Sequence, residues 1–195
     1  MFSPSLLHGL VLGLAACLWL GSSGFAQEAA EKPQVVLETS EGKITIELEP
    51  EKAPITVANF LKYVDEGYYD NLIFHRVIPR FMIQGGGFSD KMEEKSKGQH
   101  PPIKLEVGKG LSNERGAVAM ARTSNPNSAT SQFFINHADN AQLDNLGGGY
   151  AVFGKVIDGM DVVDAVAKAE TTTKGPHGDV PVKPIYIKSA KRVKK

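Results

Sequence analysis

Hydrophobic and polar residues alternate strictly along residues 43–49. Ile44, Ile46 and Leu48 point to one side of an extended chain, and the polar residues between them point to the other. This period of two predicts a half-buried β-strand. An apolar segment at residues 35–38 precedes it, and the four-residue connection ends in a glycine, so the two segments are predicted to form a β-hairpin.

Two other segments have the spacing of a helix. Val57, Phe60, Leu61 and Val64 stand at positions i, i+3, i+4 and i+7, which places them on one face of an α-helix, and Gly67 is the expected stop signal. Later in the chain, a second apolar series with helical spacing predicts another helix. Its members are Met160, Val163, Val166 and Ala167.

The remaining apolar segments are short and strand-sized, and polar or glycine-rich loops separate them. They lie at residues 74–78, 81–83, 118–121, 131–136, 150–156 and 184–193. Because the strands do not alternate with helices, a parallel doubly wound sheet is not expected. The chain is therefore predicted to be mainly β, as a closed eight-stranded antiparallel barrel capped by two α-helices.

Polar side chains interrupt the apolar segments between residues 74 and 87. Pro79 separates two strand-sized runs, and His75, Arg76 and Gln84 lie within or beside them. An arginine is almost never buried without a partner, so Arg76 is expected either to form a salt bridge or to face a cleft. By itself, this segment is also compatible with an edge strand that exposes its polar positions.

The length and net charge of the chain indicate a one-domain globular protein without a general affinity for polyanions. A chain of 195 residues is long enough for one domain with a substantial core. Its formal net charge is zero, so a broad electrostatic attraction to nucleic acid or to an anionic membrane is not expected.

The amino-terminal segment is apolar and carries no Lys, Arg, Asp or Glu before Glu28. Its apolar run, residues 10–20, is shorter than the roughly 20 residues that a membrane-spanning helix needs. The run is followed by small and polar residues that end in Gly24-Phe25-Ala26, a small-x-small pattern typical of cleavage after Ala26 in a secretory signal peptide. This pattern predicts a periplasmic protein without an integral membrane span. The predicted order is signal peptide, linker, functional domain and basic tail, at residues 1–26, 27–34, 35–193 and 194–195.

A second interpretation of the amino-terminal segment stays open. Residues 14–17, Leu-Ala-Ala-Cys, resemble the lipobox of bacterial lipoproteins, so anchoring through Cys17 is the alternative to cleavage after Ala26. Cys17 is the only cysteine. Cleavage would therefore leave a domain without a disulfide or a thiol nucleophile.

Several kinds of chemistry find no support in the sequence. The histidines lack the paired spacing of a metal site, and the glycine runs lack the Lys-Ser/Thr of a phosphate-binding loop. No Gly-x-Ser-x-Gly elbow identifies a hydrolase nucleophile. We therefore expect neither a metal nor another cofactor.

Apolar and amide side chains recur instead in the strand segments. Alternation places Met82 and Gln84 on one face of their strand, and Gln132 and Phe134 on one face of another. Together with Arg76, these residues predict a groove with an apolar floor, two amides and one guanidinium. Such a groove suits an uncharged peptide better than a charged metabolite.

Five motifs stand in order along the chain: Phe-His-Arg-Val-Ile-Pro (74–79), Phe-Met-Ile-Gln-Gly-Gly (81–86), Met-Ala-Arg (120–122), Ser-Gln-Phe-Phe-Ile (131–135) and Val-Phe-Gly-Lys-Val (152–156). In these motifs and their order the chain resembles the cyclophilin-type peptidyl-prolyl isomerases, in particular the exported bacterial members, over residues 35–193. The resemblance implies a closed eight-stranded antiparallel barrel capped by two α-helices, and catalysis of rotation about X-Pro bonds in exported polypeptides, which assists protein folding.

The resemblance also implies roles for individual residues. Arg76 is the expected catalytic residue, and Tyr150 stands where many members have a histidine. No counterpart is assigned to the family's substrate-contacting asparagine, because the loop around residues 123–125 is one residue longer than in the best-known eukaryotic members. The residues expected to bind substrate are Phe81, Met82, Gln84, Ala121, Gln132, Phe134, Leu143, Tyr150 and His75.

Two local conformations matter for these assignments. Arg80 occupies a turn position where many members have glycine, and a type I turn is expected because a positive φ would disfavour arginine. Phe81 is expected at the irregular start of its strand, since strict alternation would turn it away from Met82 and Gln84.

We expect a monomer that binds proline-containing unfolded or flexible polypeptides, with no nucleic-acid partner. The alternative function is a non-catalytic proline-peptide-binding module or chaperone that uses the same groove. The presence of Arg76 favours the enzyme.

Overall fold

A computed structural model describes residues 32–194 of the protein. The predicted signal peptide, the lipobox cysteine, most of the predicted linker and the last residue of the basic tail lie outside this part of the chain. In chain order the elements are β1 (Gln34–Thr39), β2 (Lys43–Leu48), α1 (Pro54–Asp65), β3 (Leu72–Ile78), β4 (Met82–Gly85), β5 (Ala117–Met120), β6 (Phe133–Asn136), β7 (Val152–Asp158), α2 (Met160–Ala167), β8 (Thr171–Lys174), β9 (His177–Pro181) and β10 (Tyr186–Arg192).

Eight of these strands close into a barrel in the order β1-β10-β3-β4-β6-β5-β7-β2, and every neighbouring pair is antiparallel. The predicted barrel with two α-helices is confirmed. Within residues 32–194, no helix is both long and apolar enough to cross a membrane.

The barrel wall is apolar on both sides along β5 and β6. On β6, Phe133 and Ile135 point into the interior and belong to the main core, whereas Phe134 points outward. On β5, Val118 belongs to the main core and Ala119 to the outer cluster. The sequences of β5 and β6 are therefore continuously hydrophobic, because one face of the strands fills the barrel core and the other belongs to the outer apolar cluster.

Helix α1 buries the face that its spacing predicts: Val57, Phe60, Leu61 and Val64 are all buried. Phe60 lies at its centre, with its ring centroid 5.5 Å from that of Phe133 and 5.0 Å from that of Phe153. These ring contacts join the helix to β6 and β7.

The first turn of α1 obtains its cap from a distant loop. The backbone N–H groups of Ile55 and Thr56 donate to the carboxylate of Glu106 at 3.2 and 2.8 Å. These N–H groups have no partner within the helix, and a carboxylate also suits the positive end of the helix dipole. After the helix, Gly67 has a φ of 63°, which is consistent with its predicted role as a stop signal.

The hairpin formed by β8 and β9 was not predicted. It lies outside the barrel as a separate two-stranded sheet. Its first strand, Thr-Thr-Thr-Lys, has no buried residue and therefore no apolar alternation that would reveal a strand.

The expectation for Arg80 was wrong. Its φ is 62°, in the left-handed region, and the Phe81 N–H donates to the Ile78 carbonyl at 3.1 Å across the turn. Proline at the second position followed by a positive φ is the pattern of a type II turn. The conformation is supported from outside the turn, because the Arg80 N–H donates to Nδ1 of His137 at 2.8 Å.

Gly154 lies where β7 pairs with β2, and a Cβ atom at this position would be 2.6 Å from the carbonyl oxygen of Glu47. We predict that Gly154→Ala lowers the free energy of unfolding by about 2 kcal/mol, since overpacking typically costs about 1–3 kcal/mol. Gly178→Ala is the matched control, because its added Cβ meets no heavy atom within 4 Å. Urea denaturation of the two variants and the wild type measures the difference. Equal stability of the two variants would contradict the prediction.

Candidate active site

The outward faces of β4, β5 and β6 form the floor of a cleft. Met82, Ala119 and Phe134 point away from the barrel interior and form a second apolar cluster with Leu143 and Val152. Met82 is only 2% exposed and Phe134 only 4%. The floor of the cleft is therefore apolar, and its side chains are almost fully buried by their neighbours.

A cavity of about 280 Å³ lies above this floor. Of the ten predicted site residues, eight line it, and the other two, Gln132 and His75, line neighbouring cavities. The full lining consists of Arg76, Phe81, Met82, Gln84, Ala121, Arg122, Phe134, Leu143, Leu146 and Tyr150.

A bulge in β3 sets the direction of Arg76. Phe74 pairs with Gly85 and Arg76 pairs with Gln84, which leaves His75 as an extra residue between them. Phe74 packs in the barrel core, whereas His75 and Arg76 both line the outer surface. The bulge thus turns two consecutive side chains to the same side of the wall.

The guanidinium of Arg76 is only loosely paired. Its Nε atom lies 3.8 Å from a carboxylate oxygen of Asp179, and the two side chains are 43% and 47% exposed. An ion pair of this length and exposure contributes little, about 0–1 kcal/mol. Arg76 is therefore available to interact with a carbonyl or amide nitrogen in the cleft.

The two predicted amides form one edge of the cleft. The side-chain amide of Gln84 donates to the side-chain oxygen of Gln132 at 3.0 Å, which links β4 to the segment before β6. Gln132 therefore reaches the site through Gln84 and does not line the main cavity.

The near wall of the cleft is held through the backbone of Phe81. This residue lies in the turn just before β4, which begins at Met82, so Phe81 is not bound by the alternation of the regular strand. The Phe81 carbonyl accepts hydrogen bonds from the backbone N–H of His137 at 2.9 Å and from the side chain of Asn140 at 2.8 Å. The Phe81 ring is thus placed by its backbone as well as by packing.

The far wall carries Leu143 on a short 3-10 turn, Ala141–Asp144. Asp144 accepts from the Ser112 hydroxyl and, at 2.8 and 2.7 Å, from the backbone and side chain of Asn113. Burial by itself raises the pKa of Asp144, but these hydrogen bonds outweigh it and hold the pKa below its usual value. A charged carboxylate therefore ties down the far wall.

A chain of buried asparagines joins the two walls. The side chain of Asn140, which holds Phe81, also donates to Asn136 at 2.7 Å, and Asn136 donates to Asn113 at 3.1 Å. Asn113 in turn binds Asp144. All three asparagines are at most 3% exposed, so breaking one bond would leave a buried polar group unsatisfied.

Arg122 is a cleft residue that the sequence reasoning missed. Its guanidinium lies 4.4 Å from the centre of the Tyr150 ring, in a cation–π arrangement. It also donates to the carbonyls of Leu146, Gly147 and Gly149 at 2.8–3.1 Å. Its place in the Met-Ala-Arg motif was the only signal for this role.

His75 lies behind Arg76 rather than in the main cavity. The ring is 5% exposed, its centroid is 4.6 Å from that of Phe88, and its Nδ1 atom has no hydrogen-bond partner among residues 32–194. Burial, together with the charge of His177, lowers the pKa of His75 to about 4. The imidazole is therefore neutral at physiological pH.

The cleft can bind an apolar group and interact electrostatically with a polar one. No cluster of three or more His, Cys, Asp or Glu residues suitable for a metal ion occurs in the described part of the chain. The cleft combines an apolar recess with a guanidinium and an amide at its edge. It can therefore hold a compact apolar ring and stabilise negative charge on a polar atom attached to that ring.

Comparison with known proteins finds relatives in one family. The profile of the family described as "Cyclophilin type peptidyl-prolyl cis-trans isomerase/CLD" matches residues 34–192. The peptidyl-prolyl cis-trans isomerase A of Dickeya dadantii is 54% identical over 169 residues, which are 86% of this chain and 88% of that protein. The peptidyl-prolyl cis-trans isomerase B of Escherichia coli is 51% identical over 160 residues, 80% of this chain and 96% of that protein.

Solved structures of similar fold include a cyclophilin-type peptidyl-prolyl cis-trans isomerase of Cryptosporidium parvum. It has a TM-score of 0.71 and 29% sequence identity, and the match covers 84% of this chain and 99% of that one. A second structure of the same protein, described as in the presence of the dipeptide Ala-Pro, has a TM-score of 0.70 at 30% identity, over 83% of this chain and 99% of that one.

The buried neutral His75 predicts a specific pH dependence of stability. Its pKa is about 4 in the folded protein, whereas an unfolded histidine has a pKa of about 6.5. Between these values the unfolded chain binds a proton that the folded one does not, so stability falls as the pH is lowered from about 6.5 to about 4. At pH 5 this contribution is a loss of about 2 kcal/mol relative to pH 7.5.

The measurement is urea denaturation of the wild type and His75→Gln at pH 7.5 and pH 5. Between pH 7.5 and pH 5, the free energy of unfolding of His75→Gln should fall by about 2 kcal/mol less than that of the wild type. His100→Gln is the control, because that ring is less buried than His75. An identical pH dependence for the wild type and His75→Gln would exclude this role for His75.

Proposed function

The chain belongs to the cyclophilin-type peptidyl-prolyl cis-trans isomerase family, and we propose that it catalyses rotation about X-Pro bonds in exported polypeptides and thereby assists their folding. The observation that carries the proposal is the position of Arg76 beside the apolar cavity. Its guanidinium is loosely paired and half exposed, and it lies at the edge of a recess large enough for a proline ring.

The reaction needs no nucleophile. Rotation about an X-Pro bond is slow because amide resonance gives a barrier of about 18–20 kcal/mol. Twisting the bond removes the resonance and localises a lone pair on the prolyl nitrogen. A cation aimed at that nitrogen or at the proline carbonyl therefore stabilises the twisted state more than the planar one.

We assign the parts of this reaction to the cleft residues. Arg76 supplies the cation, and the apolar side chains of Phe81, Met82, Phe134 and Leu143 receive the proline ring and exclude water around the rotating bond. Gln84, Gln132, Ala121, Tyr150 and His75 line the cleft or border it and position the client.

The energies required are moderate. Raising a rate from about 10⁻² s⁻¹ to about 10³ s⁻¹ needs a barrier about 7 kcal/mol lower. Removing a single preorganised charge-stabilising group typically costs about 2.7–4 kcal/mol. Fixing the ring in a near-reactive geometry can supply the remainder.

We predict that Arg76→Ala lowers kcat/KM for an X-Pro peptide by about 10²–10³-fold, as for other charge-stabilising groups. Binding of the peptide should persist, because the apolar recess is unchanged. Two-dimensional NMR exchange measures the isomerisation rate, and titration of the same peptide measures the Kd.

Arg192→Ala is the matched control for this experiment, since Arg192 is an exposed arginine paired with Asp65 on the surface. It should keep the wild-type rate. Equal exchange rates with and without the wild-type protein would support the alternative, a binding module or chaperone that uses the cleft without catalysis.

We also propose that the protein acts in the periplasm. The support is the sequence pattern of residues 1–26, with an apolar run and small residues before Ala26. Lipid attachment at Cys17 is the alternative outcome.

The amino terminus is tested by intact-mass measurement of the protein expressed with its full sequence in a bacterium. Cleavage as predicted gives a chain that begins at Gln27. A chain that begins at an acylated Cys17 would show lipoprotein processing instead, and an intact Met1 in the cytoplasmic fraction would contradict export.

A further inference from the structure

A second cavity lies beside the cleft, on the other side of Arg76. Its volume is about 510 Å³, and it is an open cavity lined by residues of the bulge in β3 and of the hairpin of β8 and β9. It shares Arg76 and Gln84 with the main cavity. A peptide bound across Arg76 can therefore reach both cavities.

Aromatic rings form one side of this second cavity. The ring of Phe88 contacts two imidazoles, with its centroid 4.6 Å from that of His75 and 5.0 Å from that of His177. Because burial lowers the pKa of His75 to about 4, that imidazole contributes a neutral ring and no positive charge. The faces of aromatic rings attract cations.

The rim of the cavity carries Asp179, from β9. Its carboxylate is 47% exposed and faces Arg76 across 3.8 Å. Arg76 is the one lysine or arginine among the described residues that line this cavity. Asp179 has a φ of 58°, a conformation that asparagine and aspartate tolerate better than most residues.

We propose that this cavity is a second subsite, which takes the basic side chain of a lysine or arginine two residues from the client's proline. The proposal rests on the proposed function, because it assumes that proline occupies the main cavity. In an extended peptide, residues i and i+2 point to the same side and are about 6–7 Å apart. Because the two cavities share Arg76 and Gln84, a side chain on the same side as the proline ring and two residues away can reach the second cavity.

The subsite is coupled to Arg76 by charge. Without a client, Asp179 is the carboxylate that faces Arg76. When Arg76 turns towards the client's amide, Asp179 loses that partner. A basic side chain of the client then takes its place beside Asp179, in the cavity that Phe88 also lines, which offsets the loss.

The experiment uses peptides with Lys, Met or Glu at the second position before or after proline, and each Kd and kcat/KM is measured with the wild type and Asp179→Asn. At one of the two positions, Lys should bind about threefold more tightly than Met, the size expected of an exposed ion pair. Glu should bind more weakly than Met. In Asp179→Asn the Lys-to-Met ratio should fall to about one.

The control variant is Asp158→Asn, an exposed carboxylate at the carboxyl end of β7. It should keep the wild-type Lys-to-Met ratio. Asparagine is chosen at position 179 because it adopts the left-handed conformation readily, so that variant retains the hairpin. Raising the salt concentration should reduce the preference for Lys in the wild type.

Three results would overturn the subsite: no preference for Lys at either position, a preference that survives Asp179→Asn, or an equal loss with all peptides in that variant. The last result would mean that Asp179 acts only by positioning Arg76. Isomerisation without a Lys preference would overturn the subsite alone. Binding with an Asp179-dependent Lys preference, but without isomerisation, would overturn the proposed function alone.

Discussion

The alternation of side chains across the barrel wall is the constraint on which the cleft depends. On β6, Phe133 and Ile135 fill the interior and Phe134 forms the floor of the cleft. A shift of one residue in strand pairing would exchange these faces and place Phe134 inside. The packing of the interior therefore fixes the register, and the register determines which residues line the cleft.

The bulge in β3 is the one place in this wall where the site requires an exception to alternation. Phe74 and Val77 both belong to the core, and the two residues between them, His75 and Arg76, both lie outside. A regular strand would send one of the two inward. Local departures from regular structure are concentrated at functional sites, and here the departure directs Arg76 towards the cleft and His75 towards the second cavity.

The barrel strands and both helices could be predicted because each leaves a local pattern of period 2 or 3.6. The misses have a different cause. The positive φ of Arg80 is accompanied by a hydrogen bond to His137, and the first turn of α1 is capped by Glu106, so both involve partners 50 to 57 residues away. The β8–β9 hairpin and the contacts of Arg122 left no periodic signal, since they involve polar side chains or backbone carbonyls.

The hydrogen bonds of the site divide its parts into fixed and adjustable ones. The near wall at Phe81 and the far wall at Asp144 are joined through buried asparagines, which hold the two walls of the proposed proline recess together. Among residues 32–194, the guanidinium of Arg76 has only the long, exposed ion pair with Asp179. A reaction that rotates one bond between a held ring and a moving chain needs this division. The recess must keep the ring still, while the cation must follow the polar atom whose charge changes during the rotation.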